Sequence, residues 1–398
     1  MNLLIIAPFF PPDPTGSSRY AYDLALELCA SFAQVTVVTN SIDKKAPPPR
    51  SRTACERIPE NLEIIRVRAL RVNFRKLSWN YSLPLSVLGL ATSREIWSMF
   101  RSKRFDRLLV HSVLFDLSLF GLVVGRIGGM RPVVVAHTAV WHDLPIVRGI
   151  MRVYGRIVLR PLIAWSKAWT VAVERWTFDN ALELFARPER ISLIPVPIRG
   201  PLKPLSAQSR GRNVLGAQTG PLLLSLGHVV PLRNRVRLME CVARLKADFP
   251  GLVVVIVGEV RDEEFLRVAR RLGVDDRIRL IGAVPHDEIA DFLAAADLEV
   301  HDLDGRALGL TSVEAMSSGV PIVASVHKDF LPGRDTQRLA EFGLLVDASV
   351  DELVEVMGRL FRDQEFREQV VVAQKSFVDE TYLLASVTKQ FEDLLREA

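Results

Sequence analysis

Short β-branched runs that alternate with stretches of helical periodicity constrain this chain more than any other feature. They occupy residues 2–7, 35–39, 62–68, 107–111, 132–137 and 169–173, each bounded by loops and followed by a longer helical segment. Continuous apolar runs of this kind belong to strands buried on both faces, which requires a parallel sheet with helices on each side. In the first helix Tyr20, Leu24, Leu28 and Phe32 recur every four residues, while Asp23 and Glu27 mark the solvent side. Residues 194–220 then turn rich in Pro, Gly, Ser and isolated cations and read as a linker. The pattern restarts at 222–227, 252–258, 278–282, 298–301, 320–325 and 344–346. The expected fold is therefore α/β: two doubly wound, Rossmann-like domains in tandem, with substrates in the crevice at the carboxyl ends of the strands. The expected boundaries are 1–200, 201–375 and a C-terminal helical segment, 376–398, that packs back on the first domain.

Composition removes several classes. Hydrophobic residues at 49% and charged residues at 24%, with 23 Gly and 23 Pro, fit a globular chain and exclude collagen, coiled coil and wholesale disorder. Cys29, Cys55 and Cys241 lie far apart without metal-ligand spacing, which argues against a disulfide framework or zinc site and fits a reducing compartment. The opening MNLLIIAPFF lacks a basic leader region and reads as a buried strand rather than a signal peptide. Residues 117–125, between Asp116 and Arg126, fall short of the ~20 needed to span a bilayer. The expectation is a cytoplasmic protein without a membrane span.

Charge is distributed unevenly. The first 200 residues hold 27 Lys and Arg against 15 Asp and Glu, whereas the remainder holds 24 against 31. Arg66, Arg68, Arg71, Arg75, Lys76 and Arg94 follow one another with no carboxylate between them. Arg148, Arg152, Arg156 and Arg160 recur every four residues, a slowly drifting stripe on a helix, beside Ile150, Val153, Tyr154, Ile157 and Val158. Two readings fit: the solvated face of a domain helix, or contact with anionic lipid head groups or a phosphate-bearing acceptor, peripheral on the inner face of a membrane. No zinc-finger, helix-turn-helix or RNA-recognition signature accompanies the charge, so nucleic acid is not an expected partner.

The most informative stretch is residues 296–325, ADLEVHDLDGRALGLTSVEAMSSGVPIVAS, which reads as strand, loop, short helix, strand. Gly309 permits close backbone approach, and the amides of Leu310, Thr311 and Ser312 are the donors of a new helix, suited to a diphosphate. Glu314 has two readings: it closes the helix start in a capping box with Thr311, or it accepts hydrogen bonds from paired ribose hydroxyls. Spacing alone does not choose.

The run GLTSVEAMSSGVPIVAS resembles the donor-binding segment of the family-4-like (group 1) retaining glycosyltransferases of the GT-B fold. APFFPPDPTGSSRYAYDLA, VVVAHT, LSLGHVVPLRNR, VIVGEV and RIRLIGAVPHDEI extend the resemblance over nearly the whole chain. It implies that Thr15 and Gly16 stand where a glycine pair reaches the donor's diphosphate and sugar, and that His137 lines the reaction centre. It places His228 and Arg233 at the basic pair that neutralises the leaving diphosphate, Ala283 and Val284 at the edge that reads the base, and Glu314 at the ribose. For His137 a satisfied strand-end histidine is the plainer reading, as it is for His111. Solvated loop cations are the plainer reading for Arg233 and Arg235.

One departure matters most: Arg306 stands where the family has its first motif glutamate, beside the donor sugar, and Ala307-Leu308 replaces a Gly-Phe pair. This leaves altered donor choice, a substitute carboxylate such as Asp304, or lost catalysis. Asp302-Leu-Asp304 imitates a metal-binding Asp-x-Asp but falls in the wrong half of the chain for that role, so neither metal nor cofactor is expected beyond a nucleoside diphosphate sugar as donor substrate. The expected function is transfer of a hexose from that donor to a glycan or lipid-linked acceptor with retention, in surface polysaccharide or glycolipid synthesis. A catalytically impaired nucleotide-sugar-binding partner subunit and a sugar-nucleotide epimerase are the alternatives.

Overall fold

The computed structural model describes residues 1–13, 16–40, 59–67, 70–73, 82–85, 97–98, 100, 104–140, 144–203, 212, 215–217, 219–229, 234–300, 303, 308–326 and 343–397. The chain divides into two compact units, Met1–Pro197 with Leu384–Ala398, and Ile198–Leu383.

The first unit is built on a seven-stranded parallel sheet of β1 (Asn2–Ile6), β2 (Gln34–Asn40), β3 (Leu62–Val67), β6 (Arg107–His111), β7 (Val133–Ala136), β8 (Trp169–Ala172) and β9 (Ile191–Leu193). A separate antiparallel pair, β4 (Leu70–Asn73) and β5 (Ser82–Leu85), lies outside it. The sheet order β3-β2-β1-β6-β7-β8-β9 reverses direction between β1 and β6, the switch point at which open α/β sheets bind ligands.

Its helices are α1 (Gly16–Leu28), α2 (Asp116–Ile127), α3 (Pro145–Tyr154), α4 (Arg160–Ser166) and α5 (Arg175–Leu184). Tyr20, Leu24, Leu28 and Phe32 are buried as their spacing predicts. Asp23, expected on the solvent side, is instead buried, because Arg19 one turn earlier donates to its carboxylate at 3.1 Å and neutralises it. α3 and α4 are joined by a π turn, Gly155–Leu159, in which the Arg160 N–H reaches the Gly155 carbonyl. Pro161 explains the widening: its ring has no N–H to donate and clashes with a carbonyl four residues back, so the turn before it opens.

The second unit holds a parallel sheet ordered β12-β11-β10-β13, from β10 (Leu222–Leu226), β11 (Val253–Val257), β12 (Ile278–Gly282) and β13 (Leu298–Glu299). An isolated bridge between Glu299 and Ile322 extends it toward the parallel pair β14 (Ala324–Val326) and β15 (Leu344–Val346). The helices are α6 (Arg235–Leu245), α7 (Glu264–Leu272), α8 (Ile289–Ala295), α9 (Leu310–Ser317), α10 (Val350–Arg362) and α11 (Gln364–Thr381). Asp297 ties β13 to β10 by accepting from the Leu222 N–H at 2.8 Å and from Arg212 at 2.7 Å. Gln374 of α11 is buried and brackets Ile322, accepting from its N–H at 2.9 Å and donating to its carbonyl at 2.8 Å.

The final helix, α12 (Leu384–Glu397), belongs to the first unit. Its Val387, Phe391 and Leu395 are fully buried in the cluster that includes Leu3, Ile5, Tyr20 and Leu24. Among the described residues no helix is long and apolar enough to cross a membrane. Cys29 and Cys241 are buried free thiols, pushed by desolvation up to about 11 and about 12.

Candidate functional site

In the second unit the carboxyl ends of three neighbouring strands finish on glycines with positive φ: Gly227 after β10, Gly258 after β11 and Gly282 closing β12. Gly258 is required by space as well as by its φ of +147°, since a Cβ there would lie 2.3 Å from the Gly227 oxygen and 2.9 Å from the His228 nitrogen. The result is a row of three glycines at the strand ends, of which Gly227 and Gly282 have nothing within 4 Å of where a Cβ would stand. His228 follows Gly227 and is half-exposed; its Nδ1 accepts the Glu259 N–H at 3.2 Å.

Two buried charged residues, neither of them marked by the sequence as part of the site, hold this row. Arg235, for which a solvated loop cation was one of the readings, is buried at the start of α6 and donates to the Leu226 carbonyl at 3.0 Å. Glu299, fully buried at the end of β13, accepts from the Leu226 N–H at 3.3 Å and from the Ser312 hydroxyl at 3.3 Å. A cation and a carboxylate thus grip one peptide unit apiece around Leu226, which fixes the end of β10 against the first turn of α9.

Gly309 is the N-cap of α9, with φ −70° and ψ 154°, an extended conformation open to any residue. Leu310 and Thr311 open the helix, and the Ser312 N–H is occupied, donating to the Gly309 carbonyl at 3.0 Å. The capping-box reading of Glu314 is not met. Thr311 lies inside the helix, α9 has no side-chain cap, and Glu314 in the second turn bonds His286 Nε2 through Oε1 at 2.9 Å. Glu314 is nearly covered and His286 largely exposed. Ala283, exposed, and Val284, half-buried, lie between β12 and His286. The His286–Glu314 bond therefore brings together two segments that are separate in sequence, 283–286 and 309–314.

Residues 209–376 match the family of glycosyl transferases group 1, and residues 15–197 match the glycosyl transferase 4-like domain. The chain belongs to the group 1 glycosyltransferases. An MMP alpha-(1->4)-mannosyltransferase from Mycolicibacterium hassiacum is 28% identical over 58% of this chain and 53% of its own length. A GDP-mannose-dependent alpha-(1-6)-phosphatidylinositol monomannoside mannosyltransferase from Mycobacterium tuberculosis is 25% identical over 65% of this chain and 67% of its own. The match to the first thus spans about half of that relative's length. Among solved structures, Anabaena HepE in complex with UDP and glucose gives a TM-score of 0.65 at 17% identity, covering 100% of both chains. The fold of this group 1 glycosyltransferase is GT-B.

In its first unit, His137 follows β7 and His111 ends β6, with Nδ1 of His111 2.9 Å from Nε2 of His137. Tyr20 of α1 sets its ring edge against both imidazoles, with centroids 5.6 and 5.2 Å away. Burial lowers His137 to about 4, and burial with the neighbouring ring lowers His111 well below its ordinary value, so both are neutral near pH 7. A neutral pair shares one proton in the gap. The buried His111 Nε2 finds no hydrogen-bond partner among the described residues, and a buried N–H is costlier to strand than a lone pair. That asymmetry puts the shared proton on His111 Nδ1 and leaves His137 with a proton on its own Nδ1.

The other residues singled out in the sequence are placed as follows. Gly16 opens α1 with nothing within 4 Å of where a Cβ would stand, and Arg66 donates to the Pro11 carbonyl in the loop ahead of it. Thr15, Arg233 and Arg306, with Asp302 and Asp304, lie outside the described residues. Among the described residues no group of three or more His, Cys, Asp or Glu side chains is arranged to hold a metal ion.

Proposed function

We propose that this chain transfers a hexose from a nucleoside diphosphate sugar to a hydroxyl of a glycan or lipid-linked acceptor, with retention of configuration and without a metal, in surface polysaccharide or glycolipid synthesis. The observation that carries this is the convergence, in the second unit, of the glycine row, the start of α9 and the Glu314–His286 pair. A helix start and backbone amides suit a diphosphate, and a carboxylate in the adjoining turn suits vicinal hydroxyls. In this reading Glu314 accepts the ribose hydroxyls, exchanging its bond to His286 for them, and Ala283 and Val284 border the base. His228, Arg233 and the turn of Gly309, Leu310 and Thr311 offset the charge of the leaving diphosphate, a task that preorganised dipoles perform without reorganisation. Thr15, Gly16 and His137 take the positions beside the reacting sugar that the family resemblance implies. A lipid-linked acceptor and a basic first unit both suit work at an anionic surface.

Arg306 favours a second reading, a nucleotide-sugar-binding subunit without turnover, because a cation stands where the family has a carboxylate beside the sugar. One experiment separates the two. Thermal shift against UDP, GDP and their sugar conjugates, GDP-mannose included, should raise the melting temperature, since saturation at ~100 times the dissociation constant adds ~2.7 kcal/mol. Product analysis with the responding donor should then show a glycosylated acceptor that Glu314→Ala abolishes. Nucleotide binding without product across the panel would establish the subunit reading, and the absence of any shift would remove both.

A further inference from the structure

Ile146, Ile150, Val153 and Ile157 are 81%, 64%, 56% and 69% exposed. With Leu144, Val158 and Trp165 they make up more than half of the exposed large hydrophobic side chains among the described residues. Spacings of four, three and four residues align them in a single row along α3 and into the π turn. Met151, Gly155 and Leu159 face the core instead, Gly155 against Leu184 of α5. Scattered apolar residues on a surface are ordinary, but a contiguous row is not.

A second row lies beside the first. Arg152, Arg156 and Arg160 recur every four residues and are exposed. Glu183 pairs with Arg152 at 3.9 Å and with Arg156 at 3.3 Å, all three about half-exposed, so these contacts are screened and exchangeable. The helix therefore has three faces: one packed on the domain, one apolar and bare, one cationic. A second copy of the chain is a poor match, because covering the apolar row with its own counterpart draws the two arginine rows together. An anionic bilayer complements both at once, with phosphates for the guanidinium groups and acyl chains for the isoleucines.

We infer that residues 146–160 form a membrane-insertion surface, in which Ile146, Ile150, Val153 and Ile157 enter the boundary between head groups and acyl chains of an anionic leaflet while Arg152, Arg156 and Arg160 bind lipid phosphate. It rests on the anionic-surface part of the function proposed above, extends it from charge to named inserting side chains, and involves no step of the transfer reaction. The π turn contributes by holding Gly155 and Leu159 inward while Ile157 between them stays outward.

Flotation of the full chain with vesicles of equal parts phosphatidylcholine and phosphatidylglycerol tests this, with pure phosphatidylcholine vesicles for comparison. The wild type should float with the anionic vesicles and remain partly bound at about 0.5 M salt, where the screening length falls to roughly 4 Å. The Ile150→Asp/Ile157→Asp double variant should lose on the order of tenfold in bound fraction at that salt. Arg152→Gln/Arg156→Gln/Arg160→Gln should bind anionic vesicles at low salt no better than the wild type does at about 0.5 M, and Val372→Asp, at a 70% exposed position of α11, should behave as wild type. An unchanged melting temperature shows that the isoleucine variant is folded. Flotation of that variant at the wild-type level would overturn the inference. So would a wild-type dimer that ignores vesicles and is dissolved by the same substitutions. The nucleotide-induced thermal shift in these variants reports separately on the transferase reading.

Discussion

Glu314 and His286 occupy each other at 2.9 Å, so a nucleotide that uses the carboxylate has to displace an imidazole. Glu314→Ala should weaken nucleotide binding about tenfold to a hundredfold in calorimetry, the range for hydrogen bonds to a charged group. His286→Ala should leave the affinity unchanged or tighter; a loss equal to that of Glu314→Ala would instead make the imidazole part of the nucleotide site. The histidine pair of the first unit has a pH signature. The unfolded chain takes up a proton at His137 near pH 6.5, whereas the folded chain refuses it until about pH 4. Stability is therefore full above pH 6.5 and falls across that window by about 1.4 kcal/mol per pH unit for each such imidazole. His137→Gln should flatten this acid limb in urea titrations, and an unaltered slope would show that the ring is not excluded from water. Glu314 and His137 were singled out in the sequence because family resemblance marks them. Arg235 and Glu299 were not, since a charged residue next to a loop or at a strand end reads as solvated until the fold shows both buried around Leu226.

Runs of apolar residues located the strands of both sheets to within a few residues, the central ones because cover on both faces leaves few polar positions to blur them, the half-covered edge strands β3 and β12 by their remaining apolar residues. β9 escaped that logic: Ile191, Ser192 and Leu193 are only half-buried, and three residues carry no period. The β4–β5 pair lies outside the parallel sheets and carried no run of this kind. α11 posed the opposite problem, a helix whose most consequential contact is polar. Gln374 satisfies both backbone groups of Ile322 within the core, a bond geometry that periodicity cannot announce. Gln374→Leu keeps the volume but strands an N–H and a carbonyl, and should lower unfolding free energy by about 3 kcal/mol in denaturant titration. A loss below about 0.5 kcal/mol would show that Ile322 finds other partners.

At the scale of the whole molecule, two parallel-sheet units in tandem were legible in the order of the runs, and the GT-B fold in the family resemblance. The recruitment of α12 to the first unit places residues nearly four hundred positions apart in one core, with Val387, Phe391 and Leu395 against Leu3 and Tyr20. Burying those three side chains is worth about 5 kcal/mol, most of the margin of a typical domain. A fragment comprising residues 1–197 should therefore unfold at lower temperature than the first unit of the intact chain, and a peptide of residues 384–397 added in trans should raise its melting point in proportion to occupancy. An isolated fragment that melts no lower and ignores the peptide would show that the helix is an appendage. The same arrangement inverts the usual sequence of events on the ribosome. The domain translated second has all its parts once residue 383 emerges, whereas the domain translated first waits, one helix short, until synthesis has passed through its neighbour.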